Sequence, residues 1–473
     1  MLAQLLKRDF VLKSLEKLNG GIREQAAGYV KADPNIRELL DQSGLAIDDL
    51  HDTRNEFEAA IARDAARAPA ELDDAVFFPR DAVVSLAQSA LQQFCEEKKA
   101  ASVIQNAARG FGPAQRIPVT DMEMDPSLAS LLSGAPPQRG LWQRYELLDI
   151  GWASCLAAIG VRSWRKRHPF NDQPAQPVTI GNRARVILLS DWASGLPRAR
   201  KIGEAVRAVL DDPEAASRDK HVIHLGDAYY SGLPREYENN FLKYWPVKMS
   251  EAGVISSWAL NANHDMYSGG WGYFDYLLRD DRRFHGHLDR EGAPSSFFSL
   301  ENDNWLILGL DTGYHENLIF DAHDLYGGQE SWVAERLAGA PEKNGILLSH
   351  HQPFSAYPGE SGGQLLLDKL KGPLSAERVR AWFWGHEHRC ALYEPREKIE
   401  FPRCIGHGGI PFYVAKGDLP QGVIYEYRQG FQELLESWNY FGFVVMDFAE
   451  KVINVSYINE RGTKHQTEVI PWK

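Results

Sequence analysis

The sequence predicts an α/β domain over residues 176–473, preceded by a helical N-terminal region with a linker over residues 1–175. Three observations carry that reading. After Pro177, short apolar runs rich in Val, Ile and Leu alternate with amphipathic helical stretches, the signature of strand–helix–strand units. Before Pro177, apolar residues recur three and four apart, as in FVLKSLEKL and VVSLAQSALQQFC, with charges between them. Between the two lies RHPFNDQPAQP, a linker by composition.

The elements follow in order. A chain of 473 residues exceeds one ordinary core, so two or three domains are expected. In the N-terminal part, Asp33-Pro34 and Phe78-Pro79 interrupt the helical pattern. RGFGPAQRIP and LLSGAPPQRG form a Gly/Pro-rich passage, and a further helix runs roughly from Leu141 to Arg165. ARVILLSD then reads as a strand ending in Asp191, and PRARKIGEAVRAVLDD as a helix. HVIHLGD is a strand ending in Asp227, and SSWALNANHD one ending in Asn263-His264. SSFFSL and WLILGLDT look like adjacent strands, and QESWVAERLAG like a helix. NGILLSHHQP ends in His350-His351, and RVRAWFWGHEH in His386 and His388. The tail alternates strands and turns (RCIGHGGIPFYV, GFVVMDF, VINVSYIN), which predicts a second sheet packed on the first.

Composition narrows the function. A net charge of −12 and a sequence pI near 5.7 argue against a polyanionic partner such as nucleic acid. The basic run RSWRKRH at 162–168 is short and isolated, and reads as a solvated helix end. Cys95, Cys155, Cys390 and Cys404 are far apart with no C-x-x-C pattern, which argues against a disulfide framework or a cysteine-type zinc site. MLAQLLKRDFVLKSLEKLNG has charges inside its apolar positions and no signal-peptide core. The most apolar helical stretch, near Leu147 to Val161, carries Asp149 and is too short to span a bilayer. A cytoplasmic protein with no membrane partner is expected. No G-x-x-x-x-G-K-S/T loop supports NTP-dependent phosphoryl transfer.

The strand ends carry the chemistry. Five separate strands end in residues able to bind a metal: Asp191, Asp227, Asn263, His351, and the pair His386 and His388. A lone Asp in such a place is usually a helix cap or turn residue, and a lone His usually a hydrogen-bonded one. Five in order make that reading untenable for the set, because ligands of open α/β sheets sit at the carboxyl ends of strands. Carboxylate, amide oxygen and imidazole suit Zn, Mn, Fe and Mg. Their number exceeds one tetrahedral site, so two metals are the natural count, clamping an in-line displacement at phosphorus.

The series SDWA, GDAYY, ANHD, SHHQP and GHEH resembles the calcineurin-like metallophosphoesterases, closest to the purple acid phosphatase type. The resemblance covers about Ala184 to His388. It implies a four-layer αββα sandwich and hydrolysis of a phosphate ester by a metal-bridging hydroxide. One ion would take Asp191, Asp227 and His388; the other Asp227, Asn263, His351 and His386, with Asp227 shared. His264 would sit over the leaving group as general acid or phosphate-oxygen donor. The family ligand lies two residues before a proline, which selects His351 over His350. Only one of two successive strand residues faces the metals, so His350 would pack or support. His407, in GHGGI, either joins the site or is a structural His in a Gly-rich turn.

The chain departs from the family pattern twice. Ala262 replaces the glycine of G-N-H-D, a constraint only if the turn needs φ > 0. Ala193 stands where the common form has a histidine ligand. The purple acid phosphatase form fills that vacancy with the Tyr of G-D-x-x-Y, here Tyr230. A phenolate favours Fe(III) and gives a visible charge-transfer band, so the implied cofactors are iron at the first site with Zn, Mn or Fe at the second. Tyr229 reads as a packing residue. Tyr267 and Trp271, in MYSGGWGYF, either wall a substrate pocket or belong to a packed loop; His285 and His287 read as surface.

The expected function is a phosphatase or phosphodiesterase acting on a small-molecule phosphate mono- or diester. A nuclease and a non-catalytic binding module that retains the fold stand as alternatives. The helical region is expected to cap the site, form a homo-oligomer or dock a partner.

Overall fold

Runs of β-branched and aliphatic residues buried on both faces make interior strands, and they build two sheets here. The computed structural model describes residues 167–473 except 230, 316–322, 358–362, 413, 416, 434 and 435. The N-terminal helical region expected from the sequence lies outside the described residues. The unit that is described runs from Arg167 to Lys473.

In chain order the strands of the first half are β1 (Val178–Thr179), β2 (Arg185–Leu189), β3 (Lys220–His224), β4 (Ile255–Ala259), β5 (Phe298–Glu301), β6 (Trp305–Gly309), β7 (Asn344–Ser349) and β8 (Val379–Trp384). Then come β9 (Cys390–Tyr393), β10 (Phe401–Ile405), β11 (Val423–Glu426), the hairpin β12 (Gly430–Glu433) with β13 (Glu436–Asn439), β14 (Gly442–Ala449), β15 (Val452–Asn459) and β16 (Lys464–Pro471). The longer helices are α1 (Pro197–Leu210) and α3 (Gln329–Gly339). The short ones are α2 (Asn263–Tyr267), α4 (Gln364–Lys369) and α5 (Lys371–Ser375).

One sheet has six strands in the order β16-β15-β14-β2-β3-β4, the other eight in the order β1-β5-β6-β7-β8-β10-β9-β11. Strands β2, β3 and β4 are parallel, and so are β6, β7 and β8. The tail divides between the sheets: β10, from RCIGHGGIPFYV, joins the eight-stranded sheet as expected. By contrast β14 pairs antiparallel with β2 and extends the first sheet through β15 and β16.

The two sheets bury a shared core. Val186, Leu188, Ile223, Leu225 and Trp258 of one meet Leu300, Ile307, Ile346, Leu348 and Phe383 of the other. On the far face of the eight-stranded sheet, Leu306, Leu308, Leu347, Trp382 and Trp384 pack with Val333 and Leu337 of α3 and with Leu366, Leu370 and Leu374 from the α4–α5 stretch. Alternate strand residues thus serve opposite faces. On the six-stranded side, α1 buries Ile202, Val206 and Leu210, one stripe at a spacing of four, and packs near β14. The layers are helix, sheet, sheet, helix.

The segment read as a linker is pinned to this unit. Asn171 donates to Asp289 Oδ2 (2.8 Å), the Tyr314 hydroxyl donates to the His168 carbonyl (2.6 Å), and Ala175 is 1% exposed. Phe170 packs among Phe297, Tyr314 and Tyr326. Its Pro and Asn content reflects an irregular backbone, not freedom.

His285 is exposed, as expected, but His287 is fully buried. The Ala259 N–H donates to His287 Nε2 (3.0 Å), so Nδ1 carries the proton and donates to the Ser295 carbonyl (2.8 Å). Burial pushes this imidazole down to about 4. Below the unfolded value near 6.5, the unfolded chain takes up a proton that the folded one refuses. Stability from this group is therefore complete above pH ~6.5 and falls as the pH drops toward 4, by up to about 3 kcal/mol. Urea melts of the wild type should show a steeper decline across that window than those of His287→Gln. Equal declines would contradict the buried neutral ring.

Candidate metal centre

Parallel topology places the carboxyl ends of β2, β3 and β4 together, and likewise those of β7 and β8. Asp191, Asp227 and Asn263 follow the first three strands; His350 and His386 follow the other two. Asp191 (φ 55°), Asp227 (77°), His386 (65°) and His388 (49°) all adopt the left-handed backbone that side chains disfavour. Such residues cost on the order of 1–3 kcal/mol each and gather where the site dictates geometry. They tie the chain into tight turns that point the side chains at one another.

Asp191 Oδ2 accepts from the Ser190 hydroxyl (2.6 Å) and the His386 N–H (3.0 Å). Asp227 Oδ1 accepts from the His264 N–H (3.2 Å). Behind it, Asp265 accepts from the Asp227 and Ala228 N–H groups and from the Tyr237 hydroxyl, fixing the turn. His388 Nε2 lies 3.4 Å from Asp191 Oδ1. Ligand atoms of Asp191, Asp227 and His350 all fall within 4.8 Å of one another.

His350, not His351, faces this group. Its Nδ1–H donates to the Leu225 carbonyl (3.0 Å), which leaves Nε2 as a bare lone pair. That lone pair looks at Asn263 Oδ1 (2.9 Å), Asp227 Oδ1 (3.5 Å) and His386 Nδ1 (3.3 Å). The Asn263 amide nitrogen is turned to the Tyr267 hydroxyl (2.7 Å), so its oxygen is committed to the same point. Imidazole nitrogen, amide oxygen and carboxylate oxygen thus converge as lone-pair donors, with the His264 N–H and the His386 ring as the neighbouring groups able to donate to them. His351 instead bonds Thr312 through Nδ1 (2.9 Å) and stacks on His323 (4.4 Å between ring centres). His323, His351 and His386 form a second cluster of ligand atoms within 4.8 Å. His323 was not singled out in the sequence; it sits off the strand ends, and only its positive φ (40°) marks it.

The tyrosines divide differently from the expectation. Tyr230 lies outside the described residues. Tyr229 is not a mere packing residue: its hydroxyl sits 2.8 Å from Asp227 Oδ2, 3.1 Å from Asp191 Oδ1 and 3.1 Å from His388 Nε2. Its N–H donates to the Ala193 carbonyl (3.1 Å), so backbone pairing at the alanine steers the phenol into the space beside it. The His264 ring lies between Tyr229 (4.5 Å) and Tyr267 (4.7 Å), its Nε2 4.0 Å from Asp227 Oδ2. Tyr267 is buried and bonded to Asn263, and Trp271 packs edge-on against His168; both belong to a packed loop. The His407 ring is grouped with Cys390 and His465, not with Asp191 and Asp227. Ala262 has φ −142°, extended backbone that alanine adopts freely, so its exchange for glycine costs nothing.

Among the described residues, neither Asp191 nor Asp227 meets an Arg or Lys; their ion-pair partners are histidines. Burial pushes the Asp191 carboxyl up to about 7, and burial together with Asp191 raises Asp227 well above its usual range. Two buried carboxylates lacking a basic residue, ringed by imidazoles, fit metal cations and little else.

Residues 184–390 match the family described as calcineurin-like phosphoesterase (Metallophos), so this part of the chain is a calcineurin-like phosphoesterase domain. No curated protein matches the chain. Among solved structures it is similar to GAP50, the anchor in the inner membrane complex of Plasmodium. That pair shares 11% identity over 62% of this chain and 89% of the other, with a TM-score of 0.43. A putative 5'-nucleotidase from Staphylococcus aureus shares 12% identity over 61% and 54% of the two chains (TM-score 0.32). Vps29 of Chaetomium thermophilum shares 10% over 62% and 100% (TM-score 0.28).

Gly226 precedes Asp227 at φ +108°, and a β-carbon there would lie 2.6 Å from Ala262 Cβ and 2.9 Å from His350 Nδ1. Gly226→Ala is therefore expected to cost about 2 kcal/mol or more in urea unfolding. A change under ~0.5 kcal/mol would mean that the turn is not packed as described.

Proposed function

We propose that residues 176–473 form a binuclear metallohydrolase that cleaves a small-molecule phosphate mono- or diester. The observation that carries this reading is the convergence of His350 Nε2, Asn263 Oδ1 and Asp227 Oδ1, three lone-pair donors from three separate strand ends, on one point. One ion would be held by Asp191, Asp227, His388 and a tyrosine phenol, and the other by Asp227, Asn263, His350 and His386. When bound, such ions supply Lewis acidity toward phosphoryl oxygens and an acidified water near neutral pH.

The protein's own groups do the rest. Ser190 and the His386 N–H orient the Asp191 carboxylate; the His264 N–H and the Asp265 turn orient that of Asp227. His264, gripped by two tyrosine rings beside the centre, is the proton donor to the departing alkoxide. The acidic balance of the chain disfavours a polyanionic substrate, hence a small one. A phenol at the first ion makes this the purple acid phosphatase type, with iron there and Zn, Mn or Fe at the second. Tyr229 is the phenol that its hydrogen bonds favour. The N-terminal region, residues 1–166, would dock a partner or a second copy, in a cytoplasmic protein. No helix among the described residues is long and apolar enough to cross a membrane.

Chelation should abolish turnover of nitrophenyl mono- or diesters by the purified chain, and returned Mn, Zn or Fe should restore it. Asp227→Asn should lower kcat/KM more than about 100-fold. Failure of every ester with every metal, and indifference to Asp227→Asn, would leave a binding module. His350→Ala should lose about one metal per chain and His351→Ala none; the reverse would return the ligand role to His351. Iron-loaded protein should show a visible phenolate band that Tyr229→Phe removes and Tyr230→Phe leaves. A band lost only in Tyr230→Phe names the other phenol, and no band at all ends the phenolate assignment.

A further inference from the structure

Ligand atoms of Cys390, His407 and His465 lie within 4.8 Å of one another, apart from the carboxylate centre. Cys390 is on β9, and His407 follows β10 in the eight-stranded sheet; His465 is on β16 of the six-stranded sheet. The cluster therefore spans the two sheets.

Four features set it apart from ordinary packing. His407 is 3% exposed, yet neither ring nitrogen makes a hydrogen bond of ordinary geometry, the Ile405 backbone being only a weaker electrostatic neighbour. Buried polar atoms left so are uncommon and costly. The Tyr425 hydroxyl lies 2.9 Å from His465 Nδ1 and 3.4 Å from the His465 carbonyl. With the hydroxyl at Nδ1, His465 Nε2 is a buried nitrogen with no hydrogen-bond partner. Third, Tyr457 pairs with Gln466 and Ile458 with Lys464, so His465 is the extra residue of a β-bulge. Bulges re-aim side chains. Last, a β-carbon at Gly442 would sit 2.4 Å from His407 Nε2, so only glycine admits the ring.

We infer that Cys390, His407 and His465 form a second metal site, for a zinc-class divalent ion, that clips the two sheets together. A thiolate with two imidazoles selects Zn and its thiophilic neighbours over Mg, Ca or Mn. Cys390 is a free, buried thiol. On binding it gives its proton to solvent, and both imidazoles stay neutral. The clip has a consequence for the hydrolytic centre. His407 belongs to the loop 406–409, whose Gly408 N–H donates to the Ser190 carbonyl (3.1 Å) and whose Gly409 carbonyl accepts from the Ser194 hydroxyl (2.7 Å). Fixing His407 fixes the backbone against which Asp191 is set.

Cobalt(II) loading of the full chain tests it, because the carboxylate centre has no thiolate. Wild-type protein should show a near-ultraviolet thiolate-to-cobalt band that Cys390→Ser removes. Cys390→Ser and His465→Gln should each lose about one metal equivalent per chain. Asp227→Asn, which empties the other centre, should keep the band, so failure of the phosphoesterase reading is separately visible. A wild-type chain without the band, or a band and metal content unchanged in Cys390→Ser, would overturn the site.

Discussion

Charge balance at two buried carboxylates is the constraint on which the site depends. Asp191 and Asp227 lie at 0% and 1% exposure, with histidines but no Arg or Lys paired to them among the described residues. Removing two carboxylates from water is costly, and burial raises both toward the neutral form. Hydrogen bonds from Ser190, the His386 N–H and the His264 N–H orient these groups without neutralising them. The cation proposed to be shared through Asp227 would answer the deficit.

The sheets supply the frame. Three strands run parallel in one sheet and three in the other, and the ends of β2, β3, β4, β7 and β8 turn through candidate site residues. Left-handed backbone at Asp191, Asp227, His386 and His388 is the local consequence, since a relaxed turn would aim those side chains elsewhere. Core packing of Val186, Leu188 and Ile223 against Leu300, Ile307 and Ile346 holds the two edges in register. Strain at the edge is thus borne by the interior, as expected where function sets local geometry.

Much of this was legible in the sequence because strand ends are local. ARVILLSD, HVIHLGD and NGILLSHHQP are apolar runs stopped by polar residues, and they became β2, β3 and β7 with their expected terminators. Less legible was which of two adjacent side chains faces inward. His350 and His351 are both fully buried, and the choice between them rests on the Leu225 carbonyl, 125 positions away. Tyr229 was hidden for a similar reason: its N–H bonds the Ala193 carbonyl, which joins the turn after β3 to the turn after β2. The last three strands misled because a strand looks the same whether it extends one sheet or begins another.

By itself, the sequence determined the order of strands and helices in the domain and the residue types at the strand ends. Those follow from hydrophobic periodicity and turn chemistry, which act over a few residues. Only the tertiary structure decided that β14–β16 join β2, that 167–177 packs instead of swinging free, and that His350 meets Asn263 and Asp227. It alone placed Cys390, His407 and His465 together, from two sheets and through one bulge. These are contacts between distant segments, set by how whole sheets stack, and no local pattern of residues encodes them.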